Sequence, residues 1–422
     1  MIYRNGYSIL GYGCMRLPSN DAEAEKLVMK AYESGINYFD TAYVYKGKEE
    51  QLGKILAKNG IREKVQIATK LPVYMMKKKE DFDKFFDEEL RRLQTDYVDN
   101  YLMHMLPDET TWNRLLDMGI GEWLEEKKAA GQIKKIGFSF HGSTDIFLKI
   151  LDAYDWEFCL VQYNYLDENA QAGRQGVEEA AKRGIPVFIM EPLRGGKLTK
   201  GLNKKAKAIV EKSDKTAAEW GLSWLYAQDS ITCVLSGMDT MEVLEENIRI
   251  ANNGQKNLDN VTGMQSNADE ADGLQSNADG ADGLQSNADN TANTKYEFTE
   301  EDFETIEKIK DAINSKKNIP CTGCNYCMPC PFGVDIPGCF KSYNTSYNDG
   351  YLAGETEYVM ALTLKDETGL ASQCKQCGKC EQVCPQKIPI RASLKKVKRR
   401  LEPLYFIIVK KVAAHFYKRE KV

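Results

Sequence analysis

A chain of 422 residues with 57 Lys plus Arg against 62 Asp plus Glu has a net charge of -5, which removes any whole-chain case for nucleic acid or an anionic membrane. Hydrophobic residues make up 42% and charged residues 28%, a globular composition long enough for two or three domains. No apolar run approaches the roughly 20 residues of a transmembrane helix, and the opening MIYRNGYSILGYGCM lacks the apolar core of a signal peptide. The expectation is a cytoplasmic protein without a transmembrane segment.

From residue 8 to about 253, short runs rich in Val, Ile and aromatics alternate with amphipathic, helix-length segments. The predicted strands are SILGYG, INYFDTA, VQIATKL, YVDNYLMH, KKIGFSF, CLVQYNY, PVFIMEPL and TCVLSG. Between them lie stretches such as AEAEKLVMKAYESG and QGVEEAAKRG, ending in the glycine that often caps a helix. Eight strands, each followed by a helix, predict an α/β (β/α)8 barrel. An open doubly wound sheet fits less well, because no G-x-G-x-x-G follows the first strand.

Residues 254–294 then carry a ten-residue tandem repeat, GMQSNADEAD, GLQSNADGAD and GLQSNADNTA, starting at 263, 273 and 283. With almost no large apolar side chains it cannot offset the entropy of ordering, so it reads as a disordered insertion rather than a domain. At 295–317 a helix resumes: Thr299 with Asp302 resembles a capping box, and Phe303, Ile306, Ile309 and Ile313 form a stripe at helical spacing. This is the expected last helix of the barrel, making residues 1–253 and 295–317 one domain. A cysteine module follows at 318–392. Residues 393–422 form a basic, amphipathic C-terminal helix, expected to dock on its own protein, with membrane-surface contact as the alternative.

Nine of the twelve cysteines fall after residue 320. Without an export signal, such clustering favours metal over disulfides. Cys374, Cys377, Cys380 and Cys384 have the spacing C-x2-C-x2-C-x3-C-P, the run that binds a [4Fe–4S] cluster. Thiolates two residues apart let a tight loop wrap one face of a cubane, while the fourth cysteine points elsewhere. Cys321, Cys324, Cys327 and Cys330 form a second run, with only two residues before the fourth cysteine, again followed by proline. Two such quartets do not suit zinc, which takes four ligands, usually from two C-x2-C knuckles. The module resembles two-cluster ferredoxins, in which the fourth cysteine of each run serves the other cluster. That resemblance implies one cubane on Cys321, Cys324, Cys327 and Cys384, and a second on Cys374, Cys377, Cys380 and Cys330. Cys339 is expected in the core.

The second, third and fourth strands end in Asp40, Lys70 and His104. Each alone reads as a buried ion pair or a core histidine. In a barrel, however, the C-terminal strand ends converge on one mouth, so three in register on consecutive strands point to a site, with Tyr45 in the loop after Asp40. FDTAYVY, IATKLP, LMHM, VQYNYLD, EPLRGGKL and LEENI, in this order and spacing, resemble the aldo/keto reductase superfamily over nearly all of residues 5–315. With the cysteine module, the chain resembles an iron–sulfur subgroup of that superfamily.

The resemblance implies a catalytic tetrad of Asp40, Tyr45, Lys70 and His104, with Tyr45 preferred to Tyr43 because the family's tyrosine follows the aspartate by five positions. Tyr45 would protonate the carbonyl oxygen of a small aldehyde or ketone, Lys70 would lower the tyrosine pKa, Asp40 would orient Lys70, and His104 would position the substrate. It also implies NADP or NAD as cofactor: Ser139 and Gln162 on the nicotinamide carboxamide, Leu193, Gly195, Gly196, Leu198, Ser236 and Gly237 at the pyrophosphate, Glu246 and Asn247 at the adenine. Three positions depart from the family pattern. Met190 stands where an aromatic stacks on nicotinamide, Phe140 where an asparagine follows the serine, and Val243 where an arginine grips the 2′-phosphate. These departures weaken the preference for NADPH over NADH and bring FMN into consideration. His141 either faces substrate or is a solvent-side histidine.

A nicotinamide moves two electrons as hydride and a cubane accepts one, so joining the halves leaves three readings open. The chain is a carbonyl reductase whose clusters link it to a ferredoxin or another redox partner. Alternatively, the clusters deliver single electrons to a substrate or flavin in the barrel without nicotinamide. In the third reading it is a non-catalytic, nucleotide-binding redox sensor with structural clusters.

Overall fold

A computed structural model describes residues 1–142, 144–169, 171–263, 296–314, 319–321, 323, 326–348, 350–362, 368–403 and 405–406. All eight predicted strands form, and they close into one parallel barrel. In chain order they are β1 (Leu10–Gly13), β2 (Tyr38–Asp40), β3 (Gln66–Leu71), β4 (Val98–Met103), β5 (Ile133–Phe140), β6 (Phe158–Gln162), β7 (Val187–Met190) and β8 (Cys233–Ser236). β8 returns to β1 through Val234↔Leu10, Leu235↔Gly11 and Ser236↔Tyr12. The connecting helices are α1 (Asp21–Glu33), α2 (Lys48–Lys58), α3 (Glu80–Leu93), α4 (Glu109–Asp117), α5 (Ile120–Ala129), α6 (Thr144–Asp152), α7 (Gly173–Lys182), α8 (Lys204–Val210), α9 (Ala217–Tyr226), α10 (Met241–Gly263) and α11 (Glu300–Asn314).

The packing follows from sequence spacing. In α3, Phe82, Phe85, Phe86, Leu90 and Leu93 are buried on one face, while Glu80, Asp81 and Asp83 occupy the first turn and Arg91 and Arg92 the last. Each such apolar side chain contributes about 1.5–3 kcal/mol on full burial. α2 meets α3 backbone to backbone at Gly53, where a Cβ would come within 2.5 Å of Arg92 O. Backbone cannot swing aside as a side chain can. Gly53→Ala is therefore expected to destabilise the barrel by about 1–3 kcal/mol despite alanine's better helix propensity, read as a lower denaturant midpoint by circular dichroism.

One feature escaped the pattern. Tyr3–Arg4 and Tyr7–Ser8 form a short antiparallel hairpin before the barrel. Two-residue strands carry no periodicity to detect. Tyr7 packs inside the barrel with rings 5.4 Å from Tyr38 and 4.9 Å from Phe188, closing its N-terminal end. The C-terminal end is left for the site.

α11 begins as expected: Thr299 Oγ1 accepts from Asp302 N–H at 3.2 Å, and Thr299 N–H donates back to Asp302 Oδ2 at 2.9 Å. Ile306 and Ile309 are buried, while Phe303 lies at the edge, 40% exposed and packed edge-on to Phe298. The insertion expected from residue 254 is shortened, because α10 continues to Gly263; the repeat from 264 onward lies outside the described residues.

The cysteine module has its own core of Val334, Ile336, Phe340, Tyr358, Leu394 and Val397. It is built from α12 (Ile336–Asn348), α13 (Tyr351–Leu362), α14 (Lys379–Gln382) and α15 (Ile390–Leu401). Cys339 is buried there, its Sγ 3.3 Å from Gly369 O, as expected of a core residue. The basic helix expected over 393–422 is described only as part of α15; residues 407–422 and Cys324 lie outside the described set. Among the described residues no helix is long and apolar enough to cross a membrane.

Candidate active site and cluster cavities

β2, β3 and β4 bring Asp40, Lys70 and His104 to one mouth. Lys70 Nζ donates to both Asp40 carboxylate oxygens at 2.7 Å and to Thr41 O at 2.5 Å. The same Nζ stands 5.3 Å from the Tyr45 ring centroid, and the Tyr45 and His104 rings are 6.2 Å apart and perpendicular. Tyr43 points away: its ring packs on Phe85 and under the Arg92 guanidinium, 4.2 Å from the centroid.

Charge at the mouth is set by burial and proximity. Burial is the largest influence on Lys70 and lowers it, but the Asp40 carboxylate and the Tyr45 oxygen outweigh that and hold the ammonium above the usual lysine value. Burial raises the Asp40 carboxyl against the pull of Lys70. For Tyr45 the strongest influence is Lys70, which lowers the phenol; burial and the charges of Asp40, Cys14 and Glu191 together exceed it, so the net shift is upward. This corrects the expectation of a lowered tyrosine. Asp40, the group that orients Lys70, also opposes its effect on Tyr45, second to burial.

Burial pushes His104 down to about 3, helped by the charges of Lys70 and His141. The imidazole is therefore neutral at ordinary pH. Between about pH 6.5 and about 3 the unfolded chain binds a proton at this position and the folded chain does not, so stability falls as pH falls. His104→Gln should flatten that slope, measured as a smaller loss of denaturation midpoint between about pH 7 and about pH 5.

The predicted nucleotide residues cluster on the later strand ends. Ser139 Oγ, on β5, accepts from Met105 N–H at 2.8 Å and keeps its own proton to donate. Gln162, ending β6, donates Nε2 to Asp167 Oδ2 at 2.8 Å, while its Oε1 is buried with no hydrogen-bond partner among the described residues. Asp167 is also held by Asn164 Nδ2 at 3.0 Å and Arg194 Nε at 2.9 Å. After β7 the chain turns through Arg194, Gly195 and Gly196 with φ of 48°, 65° and 91°, conformations that glycine adopts freely. Leu193 packs against Gly221 of α9, and Leu198 is 2% exposed, so its side chain belongs to the core. Glu246 accepts from Thr216 Oγ1 at 2.7 Å. Asn247 is 1% exposed and donates to Ser236 Oγ at 2.8 Å, bracing the Ser236–Gly237 turn.

The cysteine module contains two cavities. One, of about 160 Å3, is lined by Cys374, Cys377 and Cys380 together with Cys327 and Cys330 from the other run. The second, smaller cavity is lined by Cys321 and Cys327 together with Cys384. The α12–α13 hairpin folds the second run back on the first, and burial of Ile336, Ile388 and Ile390 holds them together. Tyr326, on the wall of the first cavity, also reaches the barrel. Its hydroxyl lies over Gly142, just past β5, where a Cβ would come within 2.8 Å of it.

The Aldo/keto reductase family profile matches residues 9–266, more than half of the chain. The chain belongs to the aldo/keto reductase family. This aldo/keto reductase is thus an oxidoreductase, and it carries a 4Fe-4S dicluster domain matched over residues 320–388. It is 29% identical over 275 residues to L-galactose dehydrogenase of Arabidopsis thaliana, covering 57% of this chain and 83% of that one. With 6-dehydroglucose reductase of Novosphingobium aromaticivorans it shares 26% identity over 233 residues, 51% and 75% of the two chains. The holo form of an aldo-keto reductase from Bacillus halodurans superposes with a TM-score of 0.50 at 26% identity, covering 58% of this chain and 86% of that one.

Two residues of the reductase escaped or divided the sequence reading. Arg16, just past β1, lies between the Gly195 turn and the Gly237 turn: its Nη2 is 3.2 Å from where a Gly195 Cβ would be, and its Cδ 3.3 Å from that of Gly237. It is exposed and forms no ion pair among the described residues. A basic residue directly after the first strand of a barrel was the available signal. His141 is half-buried, its Nδ1 3.1 Å from Gln171 Oε1, and its charge influences His104; this places it on the mouth rather than among solvent-side histidines.

Proposed function

We propose that this aldo/keto reductase reduces an aldehyde or ketone using NADPH or NADH, with Tyr45 as general acid. The observation that carries this reading is the Lys70 clamp on Asp40 with Tyr45 and His104 at the same mouth. Gln162 Oε1, buried without a partner, suits an amide donor such as the nicotinamide carboxamide. Ser139 would hold the same carboxamide, and Arg16 would lie along the pyrophosphate between the Gly195 and Gly237 turns. Bound there, the nicotinamide supplies hydride.

The chain's own residues do the rest. Neutral His104 donates to the carbonyl oxygen and orients it. Tyr45, held protonated at neutral pH, gives its proton to that oxygen. Lys70 stabilises the phenolate left behind, and Asp40 keeps Lys70 charged and aimed. Val243 offers no cation for a 2′-phosphate, and Arg249 is taken by Glu219 at 2.7 Å, so discrimination between NADPH and NADH is modest. In the dicluster domain, Cys321, Cys324, Cys327 and Cys384 would ligate one cubane and Cys374, Cys377, Cys380 and Cys330 the other. Each cubane is a one-electron station.

The test uses anaerobically purified protein titrated with each nucleotide and assayed against a panel of aldehydes, including aldoses, since two relatives are named for sugars. The expected result is one nucleotide oxidised per carbonyl reduced, with Arg16→Gln weakening both nucleotides roughly tenfold or more. Absence of nucleotide binding, or release of a yellow flavin on denaturation, would overturn the reading.

A further inference from the structure

The net charge of -5 hides a local reversal. Residues 374–401 hold nine Lys and Arg against one carboxylate, Glu381. That carboxylate is taken: Arg391 Nε donates to it at 2.8 Å and Arg391 N–H at 2.8 Å. Lys375, Lys379, Lys387 and Arg391 are all exposed. α15 buries Ile390, Leu394, Val397 and Leu401 and turns Lys395 and Lys396 outward, so its share of the charge sits on the solvent face.

This cationic surface surrounds a redox edge. Lys375, Lys379 and Arg391 line the same cavity as Cys330, Cys374, Cys377 and Cys380. Cys377 at the rim is itself exposed. Beside it stand Val383 and Phe332, 50% and 40% exposed, which also line that cavity. A cluster that exchanges single electrons needs its partner's redox centre close to its own edge. An apolar contact ringed by one sign of charge is how small, weak and fast encounters are steered.

We propose that the rim formed by Lys375, Lys379, Arg391, Val383 and Phe332 is the docking surface for an acidic one-electron carrier protein. The proposal rests on the reading that Cys330, Cys374, Cys377 and Cys380 hold a cubane. With a cubane held there, one electron would pass to it from the reduced carrier, the carrier being oxidised by one and the cubane reduced by one, with no bond formed or broken. Anionic lipid and nucleic acid would also be drawn to positive charge. The exposed cluster ligand at the centre of the patch favours the carrier.

The test measures association of an oxidised, acidic two-cluster ferredoxin with the iron-loaded full-length protein by calorimetry, so no turnover is needed. Measurements at about 25 mM and about 300 mM salt bracket the screening of surface charge. Lys375→Glu/Lys379→Glu should weaken association tenfold or more at low salt and little at high salt. Lys204→Glu/Lys205→Glu on α8 should leave it unchanged. Carbodiimide coupling should link the carrier to residues 375–396. Association indifferent to salt and to the charge reversal would overturn the docking surface in iron-loaded protein. So would binding to phosphatidylglycerol vesicles or duplex DNA without binding to the carrier. Iron-free protein after anaerobic purification would instead overturn the cluster assignment beneath it.

Discussion

Tyr45→Phe is expected to lower kcat for carbonyl reduction by about 10^2–10^4-fold, the usual share of a positioned general acid. Nucleotide affinity and iron content should stay unchanged. The ring keeps its place 5.3 Å from Lys70 Nζ and perpendicular to His104, so only the proton is lost. The wild-type rate should hold through neutral pH and decline only at strongly alkaline pH, because the phenol lies above its ordinary value and remains protonated until then. Lys70→Met is a poorer test, since removing the ammonium strands a buried carboxylate at a cost of about 3–5 kcal/mol and confuses chemistry with folding. Steady-state kinetics and nucleotide titration on the same preparation decide it. A phenylalanine enzyme within about threefold of wild type would remove Tyr45 from the mechanism.

The second large effect concerns which cysteines act together. Cys330→Ala and Cys384→Ala should each halve the iron, from about eight to about four per chain. The pairing emerges from double variants. If Cys330 shares a cubane with Cys374, then Cys330→Ala/Cys374→Ala keeps about four iron, because both changes strike the same cluster; Cys330→Ala/Cys321→Ala keeps almost none. Uncrossed runs would invert that pattern. Iron analysis and the electron paramagnetic resonance of reduced samples read it directly. Cys327 lines both cavities, whereas Cys330 lines only that of Cys374, Cys377 and Cys380 and Cys384 only that of Cys321, which is the reason to expect the crossed result.

Much of the molecule was legible before its coordinates. Eight strands were visible because a buried parallel strand has to be a run of apolar, β-branched or aromatic residues, and Asp40, Lys70 and His104 stood out as polar interruptions of such runs. Both cysteine quartets could be read because cubane geometry imposes spacing on local sequence. Quantities summed over space were not legible. The upward shift of Tyr45 depends on its burial and on the distances of four groups, Lys70, Asp40, Cys14 and Glu191, from four parts of the chain. Arg16 becomes a candidate only when the Gly195 and Gly237 turns, some 180 and 220 residues later, close around it. The hairpin plug was too short to show a period, and α10 runs to Gly263, past the last recognisable apolar stripe.

The Lys70–Asp40 pair is sealed almost completely from water, with side chains 1% and 6% exposed. Stripping hydration from two ions is rarely repaid in full by their attraction, and apolar residues of like size commonly serve a fold as well or better, by about 1–4 kcal/mol. The barrel thus carries a standing handicap at the mouth where the proposed chemistry would take place. On the proposed mechanism, selection for sturdiness alone would erase those ions first, and the hardier protein left behind would be inert.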